Sequence, residues 1–168
     1  MLLIRQFLAA TFAILSTAFV GCSSLVKFDE GTFFECRIKP LDSGRVEFSI
    51  KNISNRRLAV LRWNIPISNE PLCRNLFEVQ QGGKKVPYVG RIVEFIEDES
   101  AIRYLKPAEV ITVVVPIRDG YRAQADDAIL VKYDSCLQFA VVGESTRKRS
   151  IKDLNRIECM TSNGVLVK

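Results

Sequence analysis

The chain has 168 residues, of which 48% are hydrophobic, so it is long enough for one domain with a full hydrophobic core. Its net charge at pH 7 is only +5, and acidic and basic residues are balanced between positions 22 and 146. This balance argues against nucleic-acid binding, which needs a continuous basic surface. The sequence contains no histidine, which excludes Ser-His-Asp and Cys-His catalysis and histidine-based zinc sites.

The N-terminus has the pattern of a secretory signal peptide. Residues 1–6 contain one basic side chain, Arg5, and residues 7–21 form an uncharged and mostly apolar run. This run is shorter than the roughly 20 residues that a helix needs to cross a bilayer, which favours a signal over a retained anchor. We therefore expect residues 1–21 to be a helical signal peptide that is removed on export.

A lipoprotein cleavage motif ends this run. Residues 19–22 read Phe-Val-Gly-Cys and resemble the bacterial lipobox, although a phenylalanine replaces its usual leucine. We expect cleavage between Gly21 and Cys22 and attachment of lipid to the Cys22 thiol, since two or more acyl chains make an anchor stable. Residues 16–18 offer an alternative site for an ordinary signal peptidase. Ser23 resembles the residue that follows the cysteine in outer-membrane lipoproteins, so the expected location is the cell envelope, anchored in the outer membrane and facing the periplasm or the surface.

Four cysteines remain if Cys22 carries lipid. An even number of cysteines in an exported chain predicts disulfides, here two, and their spacing excludes a C-x-x-C redox or zinc motif. The sequence leaves all three possible pairings open. The four candidate residues are Cys36, Cys73, Cys136 and Cys159.

Short alternating segments predict β-strands through the rest of the chain. Residues 46–51 alternate apolar and polar side chains, and the Gln-Gly-Gly-Lys sequence at 81–84 predicts a hairpin turn. Many short strands with turns between them are typical of a sandwich. The expected strands are 33–38, 46–51, 58–63, 76–80, 86–89, 92–95, 110–115 and 128–133, the last continued by 136–142.

These segments predict the domain organisation. We expect an all-β fold, an antiparallel immunoglobulin-like β-sandwich of seven to eight strands, over residues 32–168. Residues 22–31 would form the tether between the lipid and the sandwich. Residues 146–156 are a polar and basic helix candidate within a basic C-terminal segment.

Three segments resemble a known domain. Residues 51–61, 77–90 and 105–121 resemble the β-sandwich that precedes the catalytic domain in deuterolysin-type and peptidyl-lysine metallopeptidases. The resemblance covers about half of the chain, from Arg45 to Tyr133, and implies a sandwich fold. Those peptidases bind zinc through an H-E-x-x-H motif, which a chain without histidine cannot contain. The resemblance therefore implies the fold without the peptidase activity.

Carboxylates and one basic run are the remaining candidates for chemistry. Acid–base catalysis by carboxylates needs two different environments, which neighbours in a polar loop do not provide, and no calcium-binding loop pattern is present. We expect no catalytic residue and no metal site. The carboxylates are Glu94, Glu97, Asp98, Glu99, Asp126 and Asp127, and the basic run contains Arg147, Lys148, Arg149, Lys152 and Arg156. The basic run is either a patch for anionic lipid or an acidic partner, or a solvated segment.

The sequence as a whole favours a binding function. We expect a non-enzymatic envelope lipoprotein without cofactors, whose sandwich binds a protein partner or has a structural role. The alternative is an inhibitor or chaperone of a secreted metallopeptidase, which would act by strand addition in the enzyme's cleft. A hydrolase that uses carboxylates alone is the third hypothesis.

Overall fold

The structure is a computed structural model that describes residues 31–93, 99–124, 127–143 and 150–168. Within these residues, no helix has the length and apolar character needed to span a membrane. Several predicted features lie outside the described residues: the signal peptide with Gly21 and Cys22, the tether up to residue 30, Glu94, Glu97, Asp98, Asp126 and the basic run 147–149.

Strands dominate the described residues, and the predicted antiparallel β-sandwich is confirmed. The described part has ten strands rather than seven to eight. In chain order they are β1 (Phe34–Pro40), β2 (Arg45–Asn52), β3 (Arg57–Leu61), β4 (Phe77–Gln81), β5 (Lys84–Lys85), β6 (Ile102–Leu105), β7 (Val110–Pro116), β8 (Ile129–Val142), β9 (Arg156–Thr161) and β10 (Val165–Val167). The connections contain 3-10 helices at Arg62–Asn64, Glu99–Ala101, Arg118–Gly120 and Ile151–Asp153.

The strands form two antiparallel sheets. The smaller sheet has the order β1-β2-β7. The larger sheet is built around β8, which has 14 residues: β4 and β10 flank its first part, and β3 and β9 flank its second part. β5 pairs with β4 and β6 pairs with β3, so β5 and β6 lie at one edge of this sheet, while β9 and β10 form the other.

The hydrophobic core lies between the two sheets. Along β2, alternate side chains are fully buried because a strand turns every second residue to the same face: Val46, Phe48 and Ile50. The ring of Phe48 lies 4.7 Å from that of Tyr133, measured between centroids, and 6.0 Å from that of Phe77. Loss of a buried aromatic ring of this kind costs about 3–5 kcal/mol.

A buried asparagine connects two turns at one end of the sandwich. The side-chain amide of Asn52 donates to the carbonyl oxygens of Arg56, Leu105 and Lys106 at 2.8–3.2 Å. Its Oδ1 accepts from the backbone N–H and the hydroxyl of Ser54. Because Asn52 is fully buried and all its polar atoms have partners, it fixes the turn after β2 against the turn between β6 and β7.

Three local predictions were wrong. The segment 86–89 forms a single bridge, between Tyr88 and Tyr121, rather than a strand, since Pro87 has no N–H to donate. Ile92 and Val93, the described half of the strand expected at 92–95, are irregular. The helix expected at 146–156 is, in its described part, one short 3-10 turn followed by β9.

Candidate functional site

The described part of the chain contains one of the two expected disulfides. Cys136 on β8 and Cys159 on β9 are bonded to each other on the exposed face of the larger sheet. The strand register places the two residues directly opposite each other, which brings their side chains together on the same face. This bridge fixes the edge strand β9 to the centre of the sheet.

The second expected disulfide is absent, because Cys36 and Cys73 are free thiols. The Cys36 thiol points from β1 toward the core and contacts the sulfur of Met160 at 3.5 Å. Cys73 lies in the loop before β4, where its thiol donates to the Pro71 carbonyl oxygen. Burial, above all, raises the pKa of Cys36 to about 12, so this thiol stays protonated and unreactive at neutral pH.

The carboxylates of Glu158 and Asp153 have structural roles. Glu158 accepts the backbone N–H groups of Phe33 and Phe34 at 2.9–3.3 Å. Asp153 accepts the N–H of Ser150 at 2.7 Å and so caps a 3-10 helix. Among the residues that the structure describes, no group of three or more histidine, cysteine, aspartate or glutamate side chains could hold a metal ion.

The conspicuous tyrosines belong to the framework of the sandwich. Tyr121 is buried and packs back on the sandwich as a corner tyrosine. Its hydroxyl accepts the N–H of Phe77 at 3.1 Å and lies 2.7 Å from both the Phe77 carbonyl oxygen and Asn75 Oδ1. The Tyr88 ring packs edge-on against it, with centroids 5.3 Å apart.

A concave surface lies beside the edge strand β6 and forms a groove. Its volume is about 630 Å³. One wall is β6 with Ser100 before it, and the other is the segment 65–68, with Val113 of β7 and Arg62 completing the lining. We call this surface the β6 groove.

Local hydrogen bonds explain why the groove stays open on the β6 side. Asn69 donates its N–H to the carbonyl oxygen of Val114 at 2.8 Å, and Val114 donates its own N–H to the Ser68 hydroxyl at 3.1 Å. The loop therefore covers the edge of β7. It leaves β6 at the edge of the larger sheet, where a strand presents backbone hydrogen-bonding groups.

The β6 groove combines aliphatic and cationic side chains. Ile67 is 45% exposed, although it is a large aliphatic residue. Arg62 and Arg103 are the charged residues of the lining. The Arg62 guanidinium donates to the Ser100 carbonyl oxygen at 3.1 Å and lies 5.0 Å from the centroid of the Trp63 ring, so one wall and the neighbouring indole hold it in place.

A smaller apolar depression adjoins the groove. It has a volume of about 30 Å³ and shares Arg62, Ile65, Pro66 and Ile67 with the groove. Its far side contains Trp63, Pro71, Leu72, Cys73, Arg74 and Leu76. The groove and the depression therefore meet at the segment 65–67.

The sequence did not indicate this groove. Its residues come from a connecting loop and from strands that pair only in the folded sheet. Ile67, a large aliphatic residue between Pro66 and Ser68, is the sequence feature that could have indicated the groove. A sequence alone does not show, however, that such a loop residue becomes exposed. No family model matches the chain, and no curated protein sequence is significantly similar to it.

Proposed function

We propose that this chain is a non-enzymatic envelope lipoprotein whose sandwich binds an extended segment of a partner protein along β6. The observation that supports the proposal is the open groove between an edge strand and the aliphatic loop 65–68. Strand addition at a sheet edge gains affinity from backbone hydrogen bonds and specificity from pockets for alternate side chains.

The lining of the groove defines the chemistry of the partner. Ile67 and Ile102 favour aliphatic side chains, and the arginines at 62 and 103 favour carboxylates that can accept two parallel hydrogen bonds. β6 has four residues, so the recognised segment is short. The expected ligand is therefore an extended, acidic and aliphatic peptide within a larger protein.

Photo-crosslinking in intact cells tests the proposal. A photoreactive amino acid at position 67 should capture a partner protein, because this side chain lies in the groove and is exposed. The matched control is position 157, an isoleucine that is 71% exposed on β9 at the opposite edge of the larger sheet. A partner captured equally from both positions contradicts binding in the groove.

A charge reversal identifies the role of the arginines. Arg62→Glu combined with Arg103→Glu should remove the adduct formed from position 67, since the acidic segment would be repelled. Lys84→Glu combined with Lys85→Glu makes the same change in net charge on β5 and should leave the adduct intact. Survival of the adduct in the arginine variant would mean that charge does not select the partner.

The alternative function is inhibition or chaperoning of a secreted metallopeptidase. Its support is the resemblance of residues 51–61, 77–90 and 105–121 to the sandwich of such enzymes, together with an edge strand that could pair inside an enzyme cleft. Titration of an H-E-x-x-H metallopeptidase with the sandwich domain tests it. Unchanged peptidase activity and unchanged refolding yield would exclude this alternative.

A further inference from the structure

We infer that the end of the sandwich where the chain enters β1 is a binding surface for anionic lipid. This end consists of three neighbouring parts: Phe33, the turn 53–56 with Arg57, and the turn 106–109. We call it the basic end. The inference rests on the proposed membrane anchor, which would hold this surface near the bilayer. The residues of the surface itself all belong to the described part of the chain.

Backbone hydrogen bonds fix the three parts of the basic end beside each other. Ile53 donates its N–H to the carbonyl oxygen of Phe33 at 2.9 Å, which places the start of β1 next to the first turn. Ala108 donates its N–H to the carbonyl oxygen of Asn52 at 3.0 Å, which joins the second turn to the first. The buried Asn52 side chain adds bonds to the carbonyl oxygens of Arg56 and Lys106.

The charges on this end favour an anionic partner. Arg56, Arg57 and Lys106 are exposed on the two turns. Glu109 is the acidic residue of the same turns, and its carboxylate accepts the backbone N–H of Lys106 at 2.8 Å. At the chain's point of entry, the guanidinium of Arg156 lies 5.3 Å from the centroid of the Phe33 ring and offsets the Glu158 carboxylate, which accepts the backbone N–H of Phe33.

An aliphatic side chain stands among these cations. Ile53 is 46% exposed at the tip of its turn, beside Phe33. An exposed aliphatic residue on the same joined turns as exposed cations suits the boundary between lipid headgroups and acyl chains, where the charges meet phosphates and the apolar side chain enters the membrane. A soluble partner would need anionic groups and an apolar site at matching positions, whereas a membrane surface offers both everywhere.

The position of the lipid anchor indicates that the ligand of the basic end is the membrane surface. Cys22 precedes Phe33 by 11 positions, so even a fully extended tether spans at most about 40 Å. The tether joins the sandwich at the basic end, so this end lies no farther from the bilayer than the tether allows. The lipid anchor raises the local concentration of headgroups, so weak contacts by the arginines and the lysine suffice to orient the domain.

Vesicle binding tests the inference independently of the anchor. The chain from residue 22 with Cys22→Ser has no acyl group and retains the whole described core. At low ionic strength it should co-sediment with vesicles of phosphatidylglycerol and phosphatidylcholine, and not with phosphatidylcholine alone. Arg56→Gln, Arg57→Gln and Lys106→Gln together should weaken this partitioning by about 100-fold, since each charge near a membrane is worth roughly fivefold in partitioning.

A matched variant separates the basic end from overall charge. Lys84→Gln, Lys85→Gln and Lys168→Gln remove the same net charge from the opposite end of the sandwich, where β10 closes against the start of β8. This variant should bind within about twofold of the parent chain if the basic end carries the contact. Equal loss in both variants, or equal binding to phosphatidylcholine alone, overturns the inference. Failure of Cys22 acylation in cells would contradict the anchor without affecting this result.

Discussion

The side chain of Asn163 pairs with the backbone of Ile38 as a neighbouring strand would. Its amide donates to the Ile38 carbonyl oxygen at 3.0 Å, and its Oδ1 accepts the Ile38 N–H at 3.1 Å. Ile38 belongs to β1, at the edge of the smaller sheet, and Asn163 lies between β9 and β10 in the larger sheet. One asparagine therefore closes the seam between the two sheets and satisfies both polar groups of an edge residue.

Replacement of this asparagine should loosen the seam. Asn163→Ala removes both hydrogen bonds and leaves the Ile38 peptide groups without their partner, so the free energy of unfolding should fall by about 1–3 kcal/mol. Urea unfolding measures the change. Asn55→Ala, in the exposed turn after β2, is the control and should change stability by less than about 0.5 kcal/mol. An equal effect of the two substitutions would show that the pairing with Ile38 adds no stability.

The sequence predicted the strands better than their connections. Residues 46–51 alternate apolar and polar side chains, whereas residues 110–115 are a nearly continuous β-branched run, and both became strands of the smaller sheet with alternate side chains buried. The segment 86–93 is also rich in valine and isoleucine, yet Val89 and Ile92 are exposed in an irregular loop. A composition that favours strands does not supply a pairing partner, and Pro87 interrupts the run.

The candidate site could not be predicted for a related reason. The β6 groove depends on which strand of the larger sheet lies at its edge, and pairing between strands distant in sequence is not encoded in local pattern. The cysteines show the same limit. Cys136 and Cys159 meet because β8 and β9 pair in one particular register, whereas Cys36 and Cys73 occupy separate environments despite the even number of cysteines.

The Cys136–Cys159 bridge should stabilise the domain measurably. The two residues are 23 positions apart, which in the chain-entropy treatment corresponds to about 3 kcal/mol. Cys136→Ser combined with Cys159→Ser should lower the free energy of unfolding by this amount. Both cysteines are exposed, so a reductant should produce the same loss in the parent protein and no further loss in the double variant. If the reductant also destabilises the double variant, another disulfide is present.

Anchoring through Cys22 should be visible in the mass of the mature protein. The chain made in a bacterial host that processes lipoproteins should begin at Cys22 and carry a diacylglycerol and an acyl chain. Cys22→Ser should abolish both the added mass and the cleavage after Gly21. The variant should also no longer be recovered when membranes are extracted with detergent. Cys73→Ser is the control and should leave both unchanged. A mature chain that begins at Phe19, after an ordinary signal-peptidase cut, would contradict the anchor.

The buried thiol of Cys36 should make the protein sensitive to alkali. Burial, followed by the negative charges of Glu158 and Glu35, raises the pKa of this thiol to about 12 in the folded chain, against an ordinary value of 9.0. Between these two pH values the folded state retains a proton that the unfolded chain releases. The contribution of this thiol to the free energy of unfolding is therefore fully present below about pH 9 and is lost as the pH rises.

A substitution at this position separates the thiol from the buried tyrosines. Burial also raises the pKa values of Tyr121 and Tyr133, so their contribution to the loss of stability starts at a higher pH, above about 10. In the Cys36→Ala variant, the free energy of unfolding should therefore change less with pH between about pH 9 and 10 than in the parent, and it should still fall steeply above about pH 10. Urea unfolding at successive pH values measures this difference. Cys73→Ala should reproduce the parent curve, because the thiol of Cys73 lies in a surface loop and outside the core. A parent curve that is already flat from pH 9 to 10 would mean that the Cys36 thiol ionises in the folded protein as readily as in the unfolded chain.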